Sequence, residues 1–586
     1  MKKRDANWKL SPVNKELQDT LGRELDILPV TAQLLINRGL DDCGKASSFL
    51  KPDLGNLHDP FLLKDMDRAV ERIMEAMRSG EKMAVWGDYD VDGVTSAALL
   101  YLFFREIGVD VETYIPDRRS EGYGLNAAGV KALAGKGVKV IITVDCGVSD
   151  CEEVIFARSM GVDCIISDHH RIHGDMPSAY AVINPQRADC AFPFKGLAGV
   201  GVAFNLVVAL RARMRDSGLL NGEVPNLKKY LDIVCIGTVA DMVPLVDENR
   251  ILVSWGLKEL NSTKRPGLKA LAQVAGIVPG GVTAEKIAFQ LAPRINAAGR
   301  LERADTALRL ISTDDEREAA GLARALDSGN SSRRGIEEKI LIEAVEMIEA
   351  GKKERADRAI VLSGELWHPG VIGIVASRLV ERYGRPVAVI TLEGDMGKGS
   401  VRGVKGCDVM EGLNACSSFL ERYGGHRAAA GLSIRKERVN GFMEAYIDFM
   451  NRAVLDASLA AEVAVDYVVS FEDITERLVS EIERLSPFGC SNEKPLLCAT
   501  STDILSTEVV GTRHLRMTLS QGGRTRDAIA FNMAGVHPLK GKGFDIAFYP
   551  YMDEWRGTRN LRLSVKELKT PANQPESAVN QPASPA

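Results

Sequence analysis

The sequence predicts an α/β protein with two α/β lobes joined by long helices, followed by a small C-terminal β-barrel. Short apolar runs that end in polar, glycine-containing loops alternate with helix-length segments from about residue 81, which is typical of βαβ units in a parallel sheet. A proline-free stretch rich in Ala, Glu, Arg and Leu then predicts helices, and strand-like alternation returns near the C-terminus. A length of 586 residues gives room for about three to five domains.

The first two regions differ in their apolar spacing. Over 1–78, apolar residues at helical spacing, such as Ala69, Ile73 and Met77, predict a helical lead-in to the first strand. Over 79–301, the runs MAVWGDYD, KVIITVDCG and DCIISDHH predict the strands of the first lobe.

The other regions follow in order along the chain. Residues 302–357 are predicted to form connecting helices, and 358–453 a second α/β lobe with a strand at PVAVITL. Residues 458–569 are predicted to form a small barrel from strands such as HLRMTLS and LRLSVKEL. The segment 570–586 carries almost no large apolar side chain, so we expect it to be disordered.

Composition excludes several classes of protein. Hydrophobic residues make up 45% and charged residues 26%, as in soluble globular proteins, and the net charge of −5 argues against a uniformly basic nucleic-acid-binding body. The N-terminus lacks an apolar stretch and the longest apolar run, 97–104, is too short to span a bilayer, so we expect neither secretion nor a membrane partner. Ten scattered cysteines without a C-x-x-C pair favour reduced thiols in the cytoplasm.

Acidic side chains collect where the predicted strands end. In GDYDVDG, Asp88, Asp90 and Asp92 fall at every second position after a strand, so an extended backbone would point all three the same way. An Asp/Gly loop of this kind is also common as a solvated turn. The ends of the other apolar segments favour a site.

Three further apolar segments also end in potential metal ligands. They are followed by Asp145, by the run Asp168-His169-His170 and, after LDIVCIGTVA, by Asp241. Loops at the carboxyl ends of parallel strands converge along one sheet edge, so these side chains can meet in one cleft. So many carboxylates need cations to coexist, and oxygen ligands with an imidazole suit Mn²⁺ or Mg²⁺. Two such ions bridged by a shared Asp form the clamp used to hydrolyse phosphate esters. Adjacent His169 and His170 diverge, so we expect one to bind metal and the other to face substrate.

Several motifs together resemble a known family. GDYDVDG, VDCG, SDHH and GTVADMVPL, in this order, are similar to successive motifs of the DHH phosphoesterase superfamily. RINAAGR and GGHRAAAG resemble motifs of its associated second domain and of the connection to it. Nearly the whole chain resembles the RecJ family of single-stranded-DNA-specific exonucleases, so the lobes would be a DHH domain and a DHH-associated domain, and the barrel an OB-type nucleic-acid-binding domain.

The resemblance implies a hydrolase with two Mn²⁺ or Mg²⁺ ions that removes nucleotides from single-stranded DNA, 5′ to 3′, in DNA repair and recombination. Asp88 would belong to the metal cluster as a ligand or an orienting group, and His170 would contact the scissile phosphate. The implied metal ligands, with Asp145 bridging, are Asp90, Asp92, Asp145, His169 and Asp241. A single-strand-binding protein and a helicase are partners implied by resemblance alone.

Positive side chains in several loops are predicted to grip the substrate, because the arginine fork suits phosphate. In GKGSVRG, neighbouring glycines let backbone N–H groups approach a phosphate. The resemblance implies a 5′-phosphate pocket formed by Ser400, Arg402 and Arg118, which would set polarity. The predicted substrate-binding residues are Arg118, Arg294, Asn296, Arg300, Ser400, Arg402 and His426. Gly370 and Gly373 are expected only to permit a tight turn.

The barrel region differs in charge from the rest of the chain. Over 501–570 there are eleven Lys and Arg against seven acids, a local charge of +4, interleaved with aromatic residues. Phosphates bind the charges of such a surface and bases stack on its rings, which is what a single-strand groove needs. We expect Phe531 and Phe548 to be core residues of the barrel.

Two other functions remain open from the residues alone. The first is a DHH-family oligoribonuclease or phosphodiesterase, which would lack the basic, aromatic C-terminal barrel. The second is a non-catalytic single-strand-binding replication protein, which would have lost metal ligands.

Overall fold

The fold was obtained as a computed structural model, which describes residues 7–118, 120–172, 174–218, 224–301, 305–351, 357–454, 462–555 and 558–570. The predicted disordered segment 570–586 lies outside the described residues from 571 onward. The chain forms two compact units, one from residues 1–57, 244–254 and 462–586 and the other from 58–243 and 255–461. No helix in the described part of the chain is long and apolar enough to cross a membrane.

The strands are β1 (Asn7–Leu10), β2 (Lys82–Gly87), β3 (Val111–Tyr114), β4 (Val138–Val144), β5 (Asp163–Ser167), β6 (Ala181–Ile183), β7 (Ile360–Glu365), β8 (Val387–Glu393), β9 (Met396–Arg402), β10 (Leu420–His426), β11 (Ala429–Arg435), β12 (Glu462–Val465), β13 (Tyr467–Val468), β14 (Leu497–Val510), β15 (His514–Gln521), β16 (Arg524–Ala530), β17 (Gly541–Trp555) and β18 (Thr558–Lys569).

The helices are α1 (Lys15–Leu25), α2 (Pro29–Ile36), α3 (Cys43–Leu50), α4 (Met66–Ser79), α5 (Val91–Glu106), α6 (Ala127–Gly135), α7 (Cys151–Ser159), α8 (Gly199–Asp216), α9 (Leu231–Ala240), α10 (Asp247–Asn261), α11 (Pro266–Val274), α12 (Ala284–Lys286), α13 (Ala292–Leu301), α14 (Asp305–Ser312), α15 (Glu316–Ala350), α16 (Ile372–Tyr383), α17 (Val409–Ala415), α18 (Val439–Ala453) and α19 (Glu476–Glu483).

The first lobe is built on a five-stranded sheet in the order β3-β2-β4-β5-β6, in which every pair is parallel. This confirms the predicted βαβ pattern. Helices cover both faces, so the strands read as continuous apolar runs rather than alternating ones. The turn from β2 into α5 is tight, because a Cβ at Gly93 would lie 2.5 Å from the backbone of Asp88.

The apolar segment LDIVCIGTVA is helix α9, not a further strand of the sheet. It is apolar all round because it is buried against α5 and α8, and every described position from Leu231 to Val239 is buried. A short apolar run gives no periodicity that separates a buried strand from a buried helix. Asp241 therefore reaches the site from a helix end.

The second lobe has a five-stranded sheet in the order β10-β11-β9-β8-β7, with only β7 and β8 parallel. The 35-residue helix α15 leads into this lobe, which confirms the predicted connecting helix. Its Ile340 and Ala344 pack into the same apolar cluster as Leu379 of α16 and Val389 of β8.

The C-terminal region forms a closed barrel. Strands β14, β15, β16, β18 and β17 pair in that order, and β17 pairs back with β14. Phe548 is fully buried in its core, as predicted, whereas Phe531 is 54% exposed, so the prediction for Phe531 is wrong. Register explains the difference, since Phe531 follows β16 just beyond its last ladder pair, Leu515↔Ala530.

The N-terminal residues divide differently from the predicted lead-in over 1–78. Strand β1 pairs with β12, and α1 to α3 share one apolar core with the barrel, where Leu21 and Leu34 join Leu515 and Phe544. Only α4 belongs to the unit of the first lobe. Helical spacing predicts which face of a helix is buried, but not which distant segment covers it.

Arg250 is an arginine buried within the barrel's unit, and its loss should destabilise that unit. Its guanidinium donates to the carbonyls of Phe49 (2.9 Å), Leu485 (2.8 Å) and Arg484 (3.1 Å). We expect Arg250→Met to lower the free energy of unfolding by about 2–4 kcal/mol, because three carbonyl acceptors lose their donor, two of them in buried bonds. Urea unfolding measures this, with Arg215→Met at an exposed site as the control; equal stabilities of the two variants would contradict the role.

Candidate functional site

The first three carboxylates lie where β2 runs into α5. Asp90 caps α5, and its side chain accepts hydrogen bonds from the N–H groups of Asp92 (2.9 Å) and Gly93 (3.0 Å). Asp92 lies in the first helical turn and Asp88 just after the strand. The expectation that an extended backbone aligns all three is wrong, because the helix begins at Val91. They reach one cluster through the turn instead.

The other ligand candidates arrive from two more strand ends and one helix end. Asp145 follows β4 in a left-handed conformation with φ of 62°, and His169 follows β5. The Nε2 atom of His169 lies 3.1 Å from Asp145 Oδ1, 3.5 Å from Asp241 Oδ2 and 3.9 Å from Asp92 Oδ2. Residues separated by about 150 positions in the chain thus meet, as the convergence of strand ends predicts.

These side chains form three overlapping groups, and within each group the potential ligand atoms lie within 4.8 Å of one another. The groups are Asp88, Asp90 and Asp145; Asp92, His169 and Asp241; and Asp145, His169 and His170. Asp145 and His169 each belong to two of them. This overlap is the arrangement expected of two neighbouring cation positions with a shared carboxylate.

The electrostatics of the cluster fit a divalent cation. Burial and then the neighbouring Asp90 raise the pKa of Asp88 to about 8 and that of Asp92 to about 7, and burial and Asp92 raise the pKa of Asp241 to about 9. Burial lowers the pKa of His169 to about 4, so its imidazole is neutral, as a metal ligand must be.

Three buried atoms of the cluster have no hydrogen-bond partner in the described part of the chain: Asp88 Oδ1, Asp145 Oδ1 and His169 Nε2. Buried polar atoms are otherwise nearly always paired. Hard carboxylate oxygens with one neutral imidazole match the donor preferences of Mn²⁺ and Mg²⁺. The residues present therefore fit the ions that the sequence predicts.

Asp168 is an orienting residue for which sequence analysis assigned no role. Its fully buried carboxylate accepts hydrogen bonds from the N–H groups of His169 (2.7 Å) and His170 (3.1 Å), and its Oδ1 lies 2.7 Å from His170 Nδ1. Burial lowers the pKa of His170, but the hydrogen bond to Asp168 and the negative charges of Asp168, Asp241 and Asp92 together outweigh burial and raise that pKa to about 9. Asp168 thus holds the imidazole of His170 in place and favours its protonated form.

The beginning of α8 also holds a carboxylate of the cluster, and the sequence analysis did not predict this contact. The N–H groups of Gly199 and Val200 donate to the two carboxylate oxygens of Asp92 at 2.6 and 2.9 Å. A Cβ at Gly199 would lie 2.7 Å from Asp145 Oδ1, so only glycine fits between the two carboxylates. The glycine-rich run GLAGVG was the signal that could have indicated this close approach.

A cavity of about 310 Å³ opens onto the cluster. Predicted site residues Asp88, Asp90, His170, Arg118, Asn296 and Arg300 line it, together with Tyr89, Tyr123 and Gly299. The hydroxyl of Tyr123 donates to the Asp145 carbonyl (3.2 Å) and lies 3.3 Å from His170 Nδ1. Acid, imidazole and guanidinium groups therefore face one small space.

A second cavity, of about 700 Å³, shares Arg118 and Arg300 with the first, and Ser400 and Arg402 also line it. Arg402 donates to Ser400 Oγ (2.9 Å), and the first turn of α16 forms part of the wall. Burial and then the charge of Arg118 lower the pKa values of both Arg300, to about 10, and Arg402. A helix N-terminus beside crowded guanidinium groups suits an anion.

Gly370 and Gly373, expected to serve only a turn, contribute to this second cavity. The Gly370 carbonyl accepts from Arg300 Nη1 at 2.8 Å. A Cβ at Gly373 would lie 3.0 Å from Arg402 Nη2 and 3.1 Å from Ser400 Oγ. Both glycines therefore let the backbone approach the anion-binding side chains.

Two predicted substrate residues lie elsewhere. Arg294 is buried, and its guanidinium donates to Asp327 (2.9 Å), Gln290 (2.6 Å) and Val274 (3.4 Å), so the prediction that it binds substrate is corrected to a structural role. His426 is exposed at the end of β10 and lines neither of the two cavities. Its substrate contact stays a prediction.

Three family models match the chain in sequence order. They are the DHH family, N-terminal domain, over residues 82–238, the DHHA1 domain over 356–452 and the RecJ OB domain over 465–567. Together with the cluster at the strand ends, these matches define a protein of the DHH phosphoesterase class.

Individual relatives and solved structures identify the family within this class. Proteins named single-stranded-DNA-specific exonuclease RecJ, from Bacillus subtilis and Escherichia coli, are 36% and 34% identical to this chain; the alignments cover 96% and 94% of this chain and 70% and 98% of those proteins. A crystal structure of RecJ from Thermus thermophilus with Mn²⁺ superposes with a TM-score of 0.83 at 29% identity, covering 97% of this chain and 80% of that one, and one with Mg²⁺ has a TM-score of 0.78, covering 96% and 78%. The chain belongs to the RecJ family, which confirms the predicted resemblance.

Proposed function

We propose that this protein is a metal-dependent exonuclease that removes nucleotides from the 5′ end of single-stranded DNA, in DNA repair and recombination. The observation that carries the proposal is a pair of cavities that share Arg118 and Arg300: the acidic cluster opens into one, and the other is cationic. One cavity suits hydrolysis of a phosphodiester and the other suits an anionic chain end. Membership of the RecJ family supports the same substrate.

The residues that would hold the ions are Asp90, Asp92, Asp145, His169 and Asp241, with Asp145 shared. Two divalent ions supply Lewis acidity and neutralise charge that develops on a phosphodiester. Asp88 completes the acidic wall, and its carboxyl lies among the same groups.

The chain's own residues bind and orient the scissile phosphate. His170, kept protonated by Asp168, presents a cationic N–H to a phosphate oxygen in the smaller cavity. Tyr123 lies beside that imidazole and restricts where it can turn. Such preorganised donors stabilise the charge of the transition state without having to reorganise during the reaction.

Polarity follows from the larger cavity. A terminal phosphate monoester carries about two negative charges near neutral pH, whereas a phosphodiester carries one, so crowded guanidinium groups favour a chain end. Arg118, Arg402, Ser400 and the first turn of α16 surround that position. The 5′-terminal phosphate would bind there while the first phosphodiester lies at the acidic cluster.

Incubation with 3′-labelled oligonucleotides tests the proposal. We expect the protein to shorten 5′-phosphorylated single-stranded DNA with Mn²⁺ or Mg²⁺ and not with EDTA, and to leave blunt duplex DNA intact. Preferential cleavage of short RNA would support a DHH oligoribonuclease instead, and binding without cleavage would support a replication protein. The closed basic barrel argues against the first alternative and the complete acidic cluster against the second.

The barrel offers an aromatic platform for bases. Phe531 is 54% exposed and packs edge-on against His514 at a centroid distance of 5.2 Å, and the exposed Arg513 is next in sequence to His514. We expect Phe531→Ala to weaken binding of single-stranded DNA by about 1–3 kcal/mol, because base stacking on a ring contributes that much. Fluorescence anisotropy measures it, with Leu505→Ala, exposed on β14 of the barrel, as the control. Equal affinities of the two variants would contradict the platform.

Partners and location complete the proposal. The family resemblance supports a single-strand-binding protein and a helicase as partners, which pull-down with the purified proteins would test. All ten cysteines are free thiols, which supports a cytoplasmic location.

A further inference from the structure

The larger cavity extends well beyond the predicted site of the terminal phosphate. It runs over the face of the second-lobe sheet, where β9, β11 and β10 lie side by side. Lys398, Ser400 and Arg402 alternate along β9 and therefore point to the same face. Lys398 is two residues from Ser400, so it lies about 7 Å further along the strand.

A second polar row crosses the sheet at that position. Ser433 is the ladder partner of Lys398 on one side and of Arg422 on the other, so the three side chains share a face. All three line the cavity. Lys398 and Arg422 form no ion pair within the described part of the chain, whereas Arg435 and Arg438 on the same lobe both pair with Glu421.

The charge of the cavity exceeds what one phosphate needs. Five cationic side chains line it, and no acidic side chain does among the described residues. The lining cations are Arg118, Arg300, Lys398, Arg402 and Arg422. A phosphate monoester supplies about two negative charges. Arg118 and Arg300 also face the acidic cavity, so Lys398 and Arg422 are the charges that one phosphate at the inner site leaves unbalanced.

Beside Ser400, the face of the sheet that forms the floor of the cavity carries no side chains on β11 and β10. Gly431 pairs with Ser400 and with Gly424, so the row containing Ser400 has no side chain on the other two strands. A Cβ at Gly431 would meet only the Gly399 carbonyl, at 3.9 Å, and one at Gly424 would meet nothing within 4 Å. The volume of about 700 Å³ is that of a pocket for a ligand larger than a single phosphate.

We propose that Lys398, Ser433 and Arg422 bind the outer phosphates of a polyphosphate chain whose innermost phosphate occupies the site formed by Arg118, Ser400 and Arg402. The inference rests on the proposed function, because it takes that inner site as the place of the 5′-phosphate. Two sources carry this chemistry, a 5′-triphosphate on an oligonucleotide and a free nucleoside triphosphate. The first would be an additional substrate end, and the second a ligand that competes with the substrate.

Competition binding with EDTA present tests the proposal without hydrolysis. A 3′-fluorescent, 5′-monophosphorylated oligothymidylate is displaced by unlabelled oligothymidylates with a 5′-hydroxyl, 5′-monophosphate or 5′-triphosphate, and by thymidine mono- and triphosphate. We expect each triphosphate to bind at least tenfold more tightly than its monophosphate. Failure of the 5′-monophosphate to outcompete the 5′-hydroxyl end would contradict the terminal-phosphate site itself, which separates that failure from failure of the outer row.

The variants K398Q and R422Q locate the effect. We expect each to remove most of the preference for triphosphate while the affinity for the 5′-monophosphate end changes less than twofold. The exposed Arg435→Gln on the same sheet is the control and should change neither. Equal affinities of mono- and triphosphate in the unmodified protein, or equal losses for both in the variants, would overturn the proposal.

The variant Gly424→Val provides a second test that leaves every charge in place. Because its Cβ meets nothing within 4 Å, the lobe should fold while the added side chain narrows the floor. We expect a selective loss of triphosphate binding. An unchanged preference would show that the outer phosphates do not pass over this floor, and would overturn the proposed path.

Discussion

Replacing Asp145 by asparagine is expected to lower the rate of single-stranded-DNA hydrolysis by about a thousandfold or more, without unfolding the protein. Asp145 belongs to two of the overlapping ligand groups and lies 3.1 Å from His169, so both cation positions depend on it. A loss of about 4 kcal/mol in transition-state stabilisation corresponds to that factor. Asparagine is the right replacement, because it tolerates the left-handed backbone at φ of 62° better than other residues. Asp145→Ala should be as inactive.

Thermal unfolding separates lost catalysis from lost folding. Without metal, the Asp145→Asn variant should melt no lower than the unmodified protein, because burial and neighbouring carboxylates hold the pKa of Asp145 well above its usual range and a neutral amide relieves that repulsion. Adding Mn²⁺ should raise the melting temperature of the unmodified protein far more than that of the variant.

A matched control comes from Asp150, a largely buried carboxylate outside the ligand groups that accepts a hydrogen bond from the Leu125 N–H at 2.7 Å. Asp150→Asn keeps an acceptor and should keep activity within a few-fold. Full activity of Asp145→Asn would contradict the metal assignment.

The acidic cluster was predictable because it depends on topology that short segments reveal. Apolar runs that end in Asp145 and His169 predict strands, and parallel strands place their ends on one edge whatever the length of chain between them. The carboxylates need no further information to meet there. Asp241 lies at the end of α9 rather than of a strand. The prediction that it meets the other carboxylates still holds, because this helix ends at the same edge of the sheet.

Supporting contacts were not predictable for a different reason. Asp92 is held by the N–H groups of Gly199 and Val200, which lie more than 100 positions along the chain. The glycine-rich run there indicates a close backbone approach, but not which side chain approaches it. Arg294 was wrongly predicted to bind substrate, because its position within the motif does not show whether its side chain faces solvent or Asp327. Its direction depends on where it lies around α13 and on which helix packs there.

The shared core of α1 to α3 and the barrel was also beyond sequence reasoning. The two segments are separated by more than 400 residues, and each shows only that it has an apolar face. One consequence bears on experiments: removing residues 462–586 would expose the apolar side of those helices, including Leu21 and Leu34. Point substitutions such as Phe531→Ala therefore test the barrel better than truncation does.

Replacing Arg402 by alanine should lower kcat/KM for 5′-phosphorylated single-stranded DNA by about 10- to 100-fold, which is the range for a lost charge-assisted hydrogen bond to a phosphate. Arg402 lies beside Ser400 and the first turn of α16, away from the acidic cluster, so the chemical step itself should be intact. Activity on the same oligonucleotide with a 5′-hydroxyl should change less than threefold. Steady-state kinetics on the two substrates measures both values.

The conservative variant separates charge from geometry at this site. Arg402→Lys keeps a positive charge but loses the planar fork, so it should fall between the unmodified protein and Arg402→Ala. The exposed Arg438→Ala, paired with Glu421 in the same lobe, is the control and should behave as the unmodified protein. An equal fall on the 5′-phosphate and 5′-hydroxyl substrates would mean that Arg402 supports the cavity as a whole, and the polarity of the enzyme would then have to come from the path of the strand rather than from recognition of its end.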